Sequence, residues 1–279
     1  MADWSPAAYL RYTDERSRPF AELLARIPGE PATVVDLGCG PGHLTALLRA
    51  RWPDADVLGV DDSPAMIERA TADNHDPRAR YQLADLRDHA ADRTSTARAD
   101  LVVSNAALQW VPGHRDLLRP LAATATQTFA LQVPGNHDAP SHALLREVAA
   151  REPYAAVVGP VPRRATADPA EYLDLLAAPG WTVDAWETTY THVLAGPDPV
   201  LRWISATGAQ PTLQALAAHD HTHGTALQAA FADEYGAALR DAYPERAYGT
   251  PLEFRRVFAV ASRTVHPLSE APRGASVPT

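Results

Sequence analysis

A short β-rich run that ends on clustered glycines constrains this chain more than any other feature. Thr33-Val34-Val35-Asp36-Leu37 is followed at once by Gly38-Cys39-Gly40-Pro41-Gly42, and Leu44, Leu47 and Leu48 then recur at helical spacing. That order reads as a buried parallel strand, a sharp turn and a helix. The unit repeats. Asp56 to Val60 is a second strand, and Ser63-Pro64 after it is a serine cap with proline at the first helical position. Ala79 to Leu83, Ala99 to Ser104 and Thr126 to Val133 read as three further strands, with a helical segment around Arg115 to Ala123 between the last two. Regular alternation of this kind predicts a parallel sheet with helices on both faces and right-handed crossovers. Ligands in such sheets sit at the carboxyl ends of the strands, beside the switch point.

Past residue 134 the rhythm changes. Ser141 to Arg151 reads as a helix, Arg151 to Pro169 as an irregular Pro- and Arg-rich excursion, and Asp168 to Ala178 as a second helix. Trp181 to Leu194 and Phe254 to Ser262 have strand composition, with a mostly helical insertion over about 198–250. The expected division is therefore an N-terminal cap segment 1–30, a core 31–134, cap helices and loop 135–180, two last strands with their insertion 181–262, and a disordered tail 263–279.

Charge and residue usage exclude several functions. A formal charge of −9 opposes binding nucleic-acid backbones, though a small anion held by a few arginines is compatible with it. All 25 basic residues are arginine; a chain without lysine performs no Schiff-base chemistry and has no P-loop lysine. The single cysteine, Cys39, forms no intramolecular disulfide, the apolar runs are too short to span a bilayer, and the charged first thirty residues hold no secretory segment. A cytoplasmic location without membrane or nucleic-acid partners is the expectation; the oligomeric state stays open. His219, His221 and His223 alternate, but with only Asp220 beside them no metal site is expected.

The glycine loop itself discriminates between cofactors. Gly38, Gly40 and Gly42 let the backbone turn sharply and approach a ligand, and Cys39 is a spacer among them. A dinucleotide fingerprint needs glycine where this chain has His43, and a pyrophosphate is repelled by Asp36. A phosphate-free ligand with a cationic amino-acid end and a sulfonium suits Asp36, so the loop implies S-adenosylmethionine. Asp61, with Asp62 and Ser63 beside it, ends the second strand where a carboxylate takes ribose hydroxyls. Asp85 and Leu86 follow the third strand, either bracketing an adenine edge or capping a helix. Asn105 ends the fourth strand in Ser104-Asn105-Ala106-Ala107-Leu108-Gln109-Trp110, which lacks the Pro-Pro-aromatic sequence that amino-group methylases carry there.

Motifs outside this loop are narrower. Asp3-Trp4-Ser5-Pro6-Ala7-Ala8-Tyr9-Leu10, Glu15-Arg16-Ser17-Arg18-Pro19, Gln132-Val133-Pro134-Gly135-Asn136, Trp203-Ile204-Ser205-Ala206-Thr207-Gly208 and Phe254-Arg255-Arg256-Val257-Phe258 resemble the trans-aconitate 2-methyltransferase family from about residue 3 to 262. One departure, Ala125 to Phe129 in place of a proline-glycine turn, affects a turn only. The resemblance implies an α/β fold, a Rossmann-like seven-stranded class I methyltransferase sheet with a mainly helical substrate cap. It also implies methyl transfer to a carboxylate of trans-aconitate, with another small acid, a carrier-protein-bound acid or a natural product as the alternative acceptor. A carboxylate is already a nucleophile at neutral pH, so positioning suffices and no catalytic base is expected. Trp4 and Tyr12 then join the cofactor site. Arg16, Arg18 and Arg146 either hold the non-reacting carboxylates or pair on the surface, while Gln109, Trp110, Asn136 and Trp203 line the substrate pocket or, for the tryptophans, pack in the core.

Overall fold

The computed structural model describes residues 13–91, 98–163, 166–219 and 224–264. Seven strands form one sheet: β1 (Thr33–Leu37), β2 (Asp56–Asp61), β3 (Ala79–Leu83), β4 (Ala99–Asn105), β5 (Ala125–Pro134), β6 (Trp181–Leu194) and β7 (Thr250–Arg263). Their order is β3-β2-β1-β4-β5-β7-β6, parallel through β5, with β7 inserted antiparallel between β5 and β6. The direction of winding reverses between β1 and β4, which places a crevice above their carboxyl ends.

Strand periodicity sorts the core into two layers. Val35, Leu37, Val102, Phe129 and Leu131 face one side, packed by α4 (Leu86–Ala91), α5 (His114–Thr124) and α8 (Pro169–Leu176). Val34, Leu101, Val103, Ala130 and Phe258 face the other, covered by α1 (Thr13–Ala25) and α2 (Thr45–Arg51), while α3 (Pro64–Ala72) lies along β2 and β3. Helix α1 is fixed by Glu22, whose carboxylate accepts hydrogen bonds from Trp186 Nε1 (3.1 Å), Thr188 Oγ1 (2.8 Å) and the Tyr190 hydroxyl on β6. Burial pushes this carboxyl up, but the three donors outweigh it and hold it below its ordinary value.

The third apolar cluster stands off the sheet. Strand β5 pairs with β7 only up to Pro134 opposite Arg256, whereas β6 pairs with β7 to its very start at Leu194 opposite Thr250. The β6–β7 ribbon therefore projects past the sheet. Leu194, Leu252 and Phe254 on this projection pack against α6 (Pro140–Ala149), α9 (Pro199–Ser205), α10 (Gln210–Ala218) and α11 (Gly224–Ala242), with α7 (Ala155–Val158) alongside. This is the cap. The sequence predicts β7 only from Phe254; Pro251 concealed its start, and proline is tolerated there because that stretch has one strand neighbour rather than two.

Two expected boundaries shift. Residues 135–180 are not one cap unit: α6 and α7 join the cap, but Tyr172 and Leu176 of α8 are buried in the sheet core. Of the expected N-terminal cap segment, 13–30 packs on the sheet through Phe20, Leu23, Leu24 and Ile27. Residues 1–12, and 265–279 of the expected tail, lie outside the described residues, while Arg263 closes β7. No helix among the described residues is long and apolar enough to cross a membrane.

Candidate active site

The turn after β1 is tied down by its own backbone. The Gly38 and Cys39 amides donate to the Val60 carbonyl on β2, at 2.7 and 3.1 Å. Asp61 then organises both loops, accepting from Gly40 N and from Ser63 N at 2.9 Å each. Gly38 has φ +76°, and a Cβ there would fall inside the van der Waals shell of Ala107 Cβ in the loop after β4. Gly40 also has positive φ, +57°, yet a Cβ on it would meet nothing within 4 Å. One glycine is demanded by packing, the other by open space above it. The loop after β4 carries its own strain: Ala106 has φ +54°, held by its amide on the Gln132 carbonyl (2.8 Å) and by Gln109 Nε2 donating to its carbonyl (2.6 Å).

A cavity of about 450 Å³ opens over these loops and is roofed by the cap. It brings together Gly38, Gly40, Asp61, Asp62, Asp85, Leu86, Asn105, Gln109, Trp110, Asn136 and Arg146 from the expected site. Asp85 resolves as a helix cap that also faces the cavity: it accepts from the Arg87 amide (2.7 Å) and is gripped by the Arg87 guanidinium. That grip holds its carboxyl below the usual range despite partial burial. Arg146 stands on α6 and donates to the His137 carbonyl at 2.9 Å.

Other expected residues stand elsewhere. Cys39 is buried against Gly59 and Tyr81, and Gly42 abuts the Tyr81 ring, so both shape the turn rather than line the cavity. Ser63 occupies the N-cap position of α3 without a side-chain capping bond, its amide donating to Asp61. Arg18 lies with its guanidinium 5.0 Å from the centre of the Tyr190 ring, and Trp203 is buried in the cap core between His192 and Phe254; neither lines the cavity. Both follow from packing: α1 lies on β6 and β7, and α9 turns its apolar face into the cap. Arg16 is on α1; Trp4 and Tyr12, like His221 and His223, lie outside the described residues. Among the described residues no group of three or more His, Cys, Asp or Glu is placed to hold a metal ion.

Comparison with known proteins agrees with this geometry. A methyltransferase-domain family model matches residues 34–126. A trans-aconitate 2-methyltransferase of Streptomyces coelicolor is 48% identical over 93% of this chain and 86% of its own length. Another, from Streptomyces avermitilis, is 45% identical over 94% of this chain and 98% of its own. The chain belongs to the trans-aconitate 2-methyltransferase family. Its fold is that of class I methyltransferases, and it also resembles the solved YcgJ protein of Bacillus subtilis, with TM-score 0.53 at 16% identity over 89% of this chain and 98% of that one.

The cavity also holds residues that spacing did not single out. Arg256 on β7, His137 and His142 beside α6, and Thr207, Gly208 and Thr212 in the insertion all line the cavity. His142 packs edge-on to His137, and a Cβ on Gly208 would meet His142 Nε2 at 2.9 Å, so the glycine admits the imidazole. The clue for Arg256 was strand alternation: of the neighbours Arg255 and Arg256, only one faces the cap side.

Asp36, near the end of β1, is buried beneath the glycine turn and does not itself line the cavity. It is 2% exposed, and burial followed by the charge of Asp61 pushes its carboxyl up to about 7. Burial likewise raises Asp61. Because the folded pKa exceeds the ordinary 3.8, the unfolded chain releases this proton first as pH rises. The ligand-free protein should therefore lose stability between about pH 4 and pH 7, by roughly 4 kcal/mol, and level off above that window. Asp36→Asn should remove this loss; parallel chemical denaturation of both proteins at pH 5 and 8 checks it, and equal pH slopes would refute it.

Proposed function

We propose that this protein is an S-adenosylmethionine-dependent carboxyl O-methyltransferase that forms the monomethyl ester of trans-aconitate. The observation that carries the reading is the polarity of one cavity. Its strand-end loops present Asp61 and Asp62, with Asp85 neutralised by Arg87, and its cap side presents Arg146 and Arg256. The names of its relatives, trans-aconitate 2-methyltransferase in each case above, support the same acceptor.

The donor end fits S-adenosylmethionine. Open space above Gly40 admits a ligand against bare backbone, and Asp61 and Asp62 stand where ribose hydroxyls would be taken. The Asn105 side-chain oxygen is buried without a hydrogen-bond partner among the described residues, an acceptor fit for the cofactor's ammonium group. A cation near Asp36 would restore its ionised form, so cofactor affinity should rise with pH through about 7. When bound, the cofactor supplies a methyl group on a positively charged sulfur, which a carboxylate oxygen takes directly.

The chain's own residues then position and shield. Arg146 holds a carboxylate that does not react, since clamping the reacting one would blunt its nucleophilicity. The apolar walls contributed by Met66, Leu145, Val158 and Val161 exclude water, which favours a step in which opposite charges vanish. No proton has to move, so no general base is required. A cytoplasmic site of action belongs to the same proposal.

The test is transfer of labelled methyl to trans-aconitate, cis-aconitate, citrate and isocitrate by the purified protein, with the product released by mild base as an ester. Label on trans-aconitate above the other acids is expected. Equal or absent label there would overturn the acceptor, and label only on larger acids would favour a carrier-bound or natural-product substrate.

A further inference from the structure

Strand β7 places two arginines side by side on opposite faces of the sheet. Arg255 is committed to structure: its Nε donates to Glu187 at 2.9 Å, and a terminal nitrogen donates to Asp168 at 2.7 Å and to Glu187. Arg256 turns to the other face, is 6% exposed, and lines the cavity. Its guanidinium carbon sits 4.4 Å from the centre of the Phe254 ring, which lines the cavity too. A guanidinium does not shed its proton, so Arg256 stays cationic at this buried wall. Contact with an aromatic face limits the freedom of the group, whose planar fork matches a carboxylate.

We propose that Arg256 grips a substrate carboxylate other than the one that is methylated and thereby selects a tricarboxylate over dicarboxylates. The inference rests on reading this cavity as the site of trans-aconitate. Three observations converge on it. Of the three arginines that line the cavity, Arg87 is taken up by Asp85, while Arg146 on α6 and Arg256 on β7 come from different elements and open on the cap side, one for each non-reacting carboxylate. The opposite wall is acidic through Asp61 and Asp62, Asp85 being paired with Arg87, so a trianion is driven toward Arg146 and Arg256 and its reacting end is left facing the donor. Finally, Arg256 stands opposite Pro134 of β5 and Thr188 of β6, inside the sheet, where the backbone is rigid and the side chain has little freedom to lose on binding.

Deleting each carboxylate of trans-aconitate in turn gives itaconate, glutaconate and mesaconate. The experiment measures dissociation constants of all four acids by calorimetry, with S-adenosylhomocysteine present, for the wild-type protein and for Arg256→Met. Trans-aconitate should bind the variant on the order of 10- to 100-fold more weakly. Two dicarboxylates should lose by the same factor, while the third, which lacks the group Arg256 holds, should bind both proteins alike. Arg256→Lys should show the same pattern at reduced size, and carries the comparison if the methionine variant fails to fold. Uniform weakening of all three dicarboxylates, or no weakening at all, would overturn the role of Arg256. Wild-type protein that binds none of the four acids would instead overturn the trans-aconitate reading, and this inference with it.

Discussion

Gly38→Ala is expected to abolish methyl transfer and to destabilise the ligand-free protein, whereas Gly40→Ala should abolish transfer and leave the fold nearly intact. Both positions have positive φ, which costs an ordinary residue about 1–2 kcal/mol. At Gly38 the added methyl also collides with Ala107 Cβ, in a loop already strained at Ala106 and pinned to the Gln132 carbonyl. Neither loop has room to retreat, so overpacking adds about 1–3 kcal/mol to the strain. At Gly40 the methyl enters the cavity and meets no protein atom, so it costs strain alone and takes the room of the ligand. Chemical denaturation and cofactor calorimetry separate the two. Gly38→Ala melting with the wild type, or Gly40→Ala binding S-adenosylhomocysteine normally, would contradict this account.

Removal of the Asp61 carboxylate should have an effect of similar size by a different route. In Asp61→Ala the amides of Gly40 and Ser63 lose their acceptor together, and each orphaned donor costs about 1–3 kcal/mol. The glycine turn and the start of α3 then lose the group that joins them. Cofactor affinity should fall by at least about 100-fold, the equivalent of one such penalty plus the lost hydroxyl contact. A second readout is independent of the cofactor. Because the charge of Asp61 helps to raise Asp36, the variant should shift the pH window of stability loss downward from its upper end near 7. Affinity within threefold of the wild type, with an unmoved window, would mean that Asp61 neither organises the loop nor contacts the ligand.

The positions of Gly38, Gly40 and Asp61 at the cavity were readable because their chemistry is local: a positive φ and a carboxylate one strand over are fixed by neighbours in sequence and by the βα repeat. Asn105 and Asp85 followed from the same rule that ligands gather at strand ends. Asp85 caps α4 and also lines the cavity, since a residue that caps this helix stands at the mouth of the crevice.

The cap side was legible only in part. Arg146 is at the cavity because α6 is the first helix after β5, a short step from the crevice. Arg18 and Trp203 share its composition signals but not its position. Glu22 docks α1 against β6 and leaves Arg18 over Tyr190, and the cap buries Trp203 in its own core. An arginine or tryptophan serves equally in a pocket or a core, and only packing chooses.

By itself the sequence determined the parallel strands of the sheet and the glycine turn with its carboxylates, because strand period, glycine conformation and helix spacing act over a few residues. The tertiary structure decided what the acceptor end contains. The projection of the β6–β7 ribbon beyond β5 carries the cap over the crevice and brings Arg256, more than a hundred residues along the chain from Arg146, to the same cavity. That meeting depends on register and on which face of β7 looks inward. Both are set by the burial of whole strands against the rest of the molecule, so no local pattern encodes them.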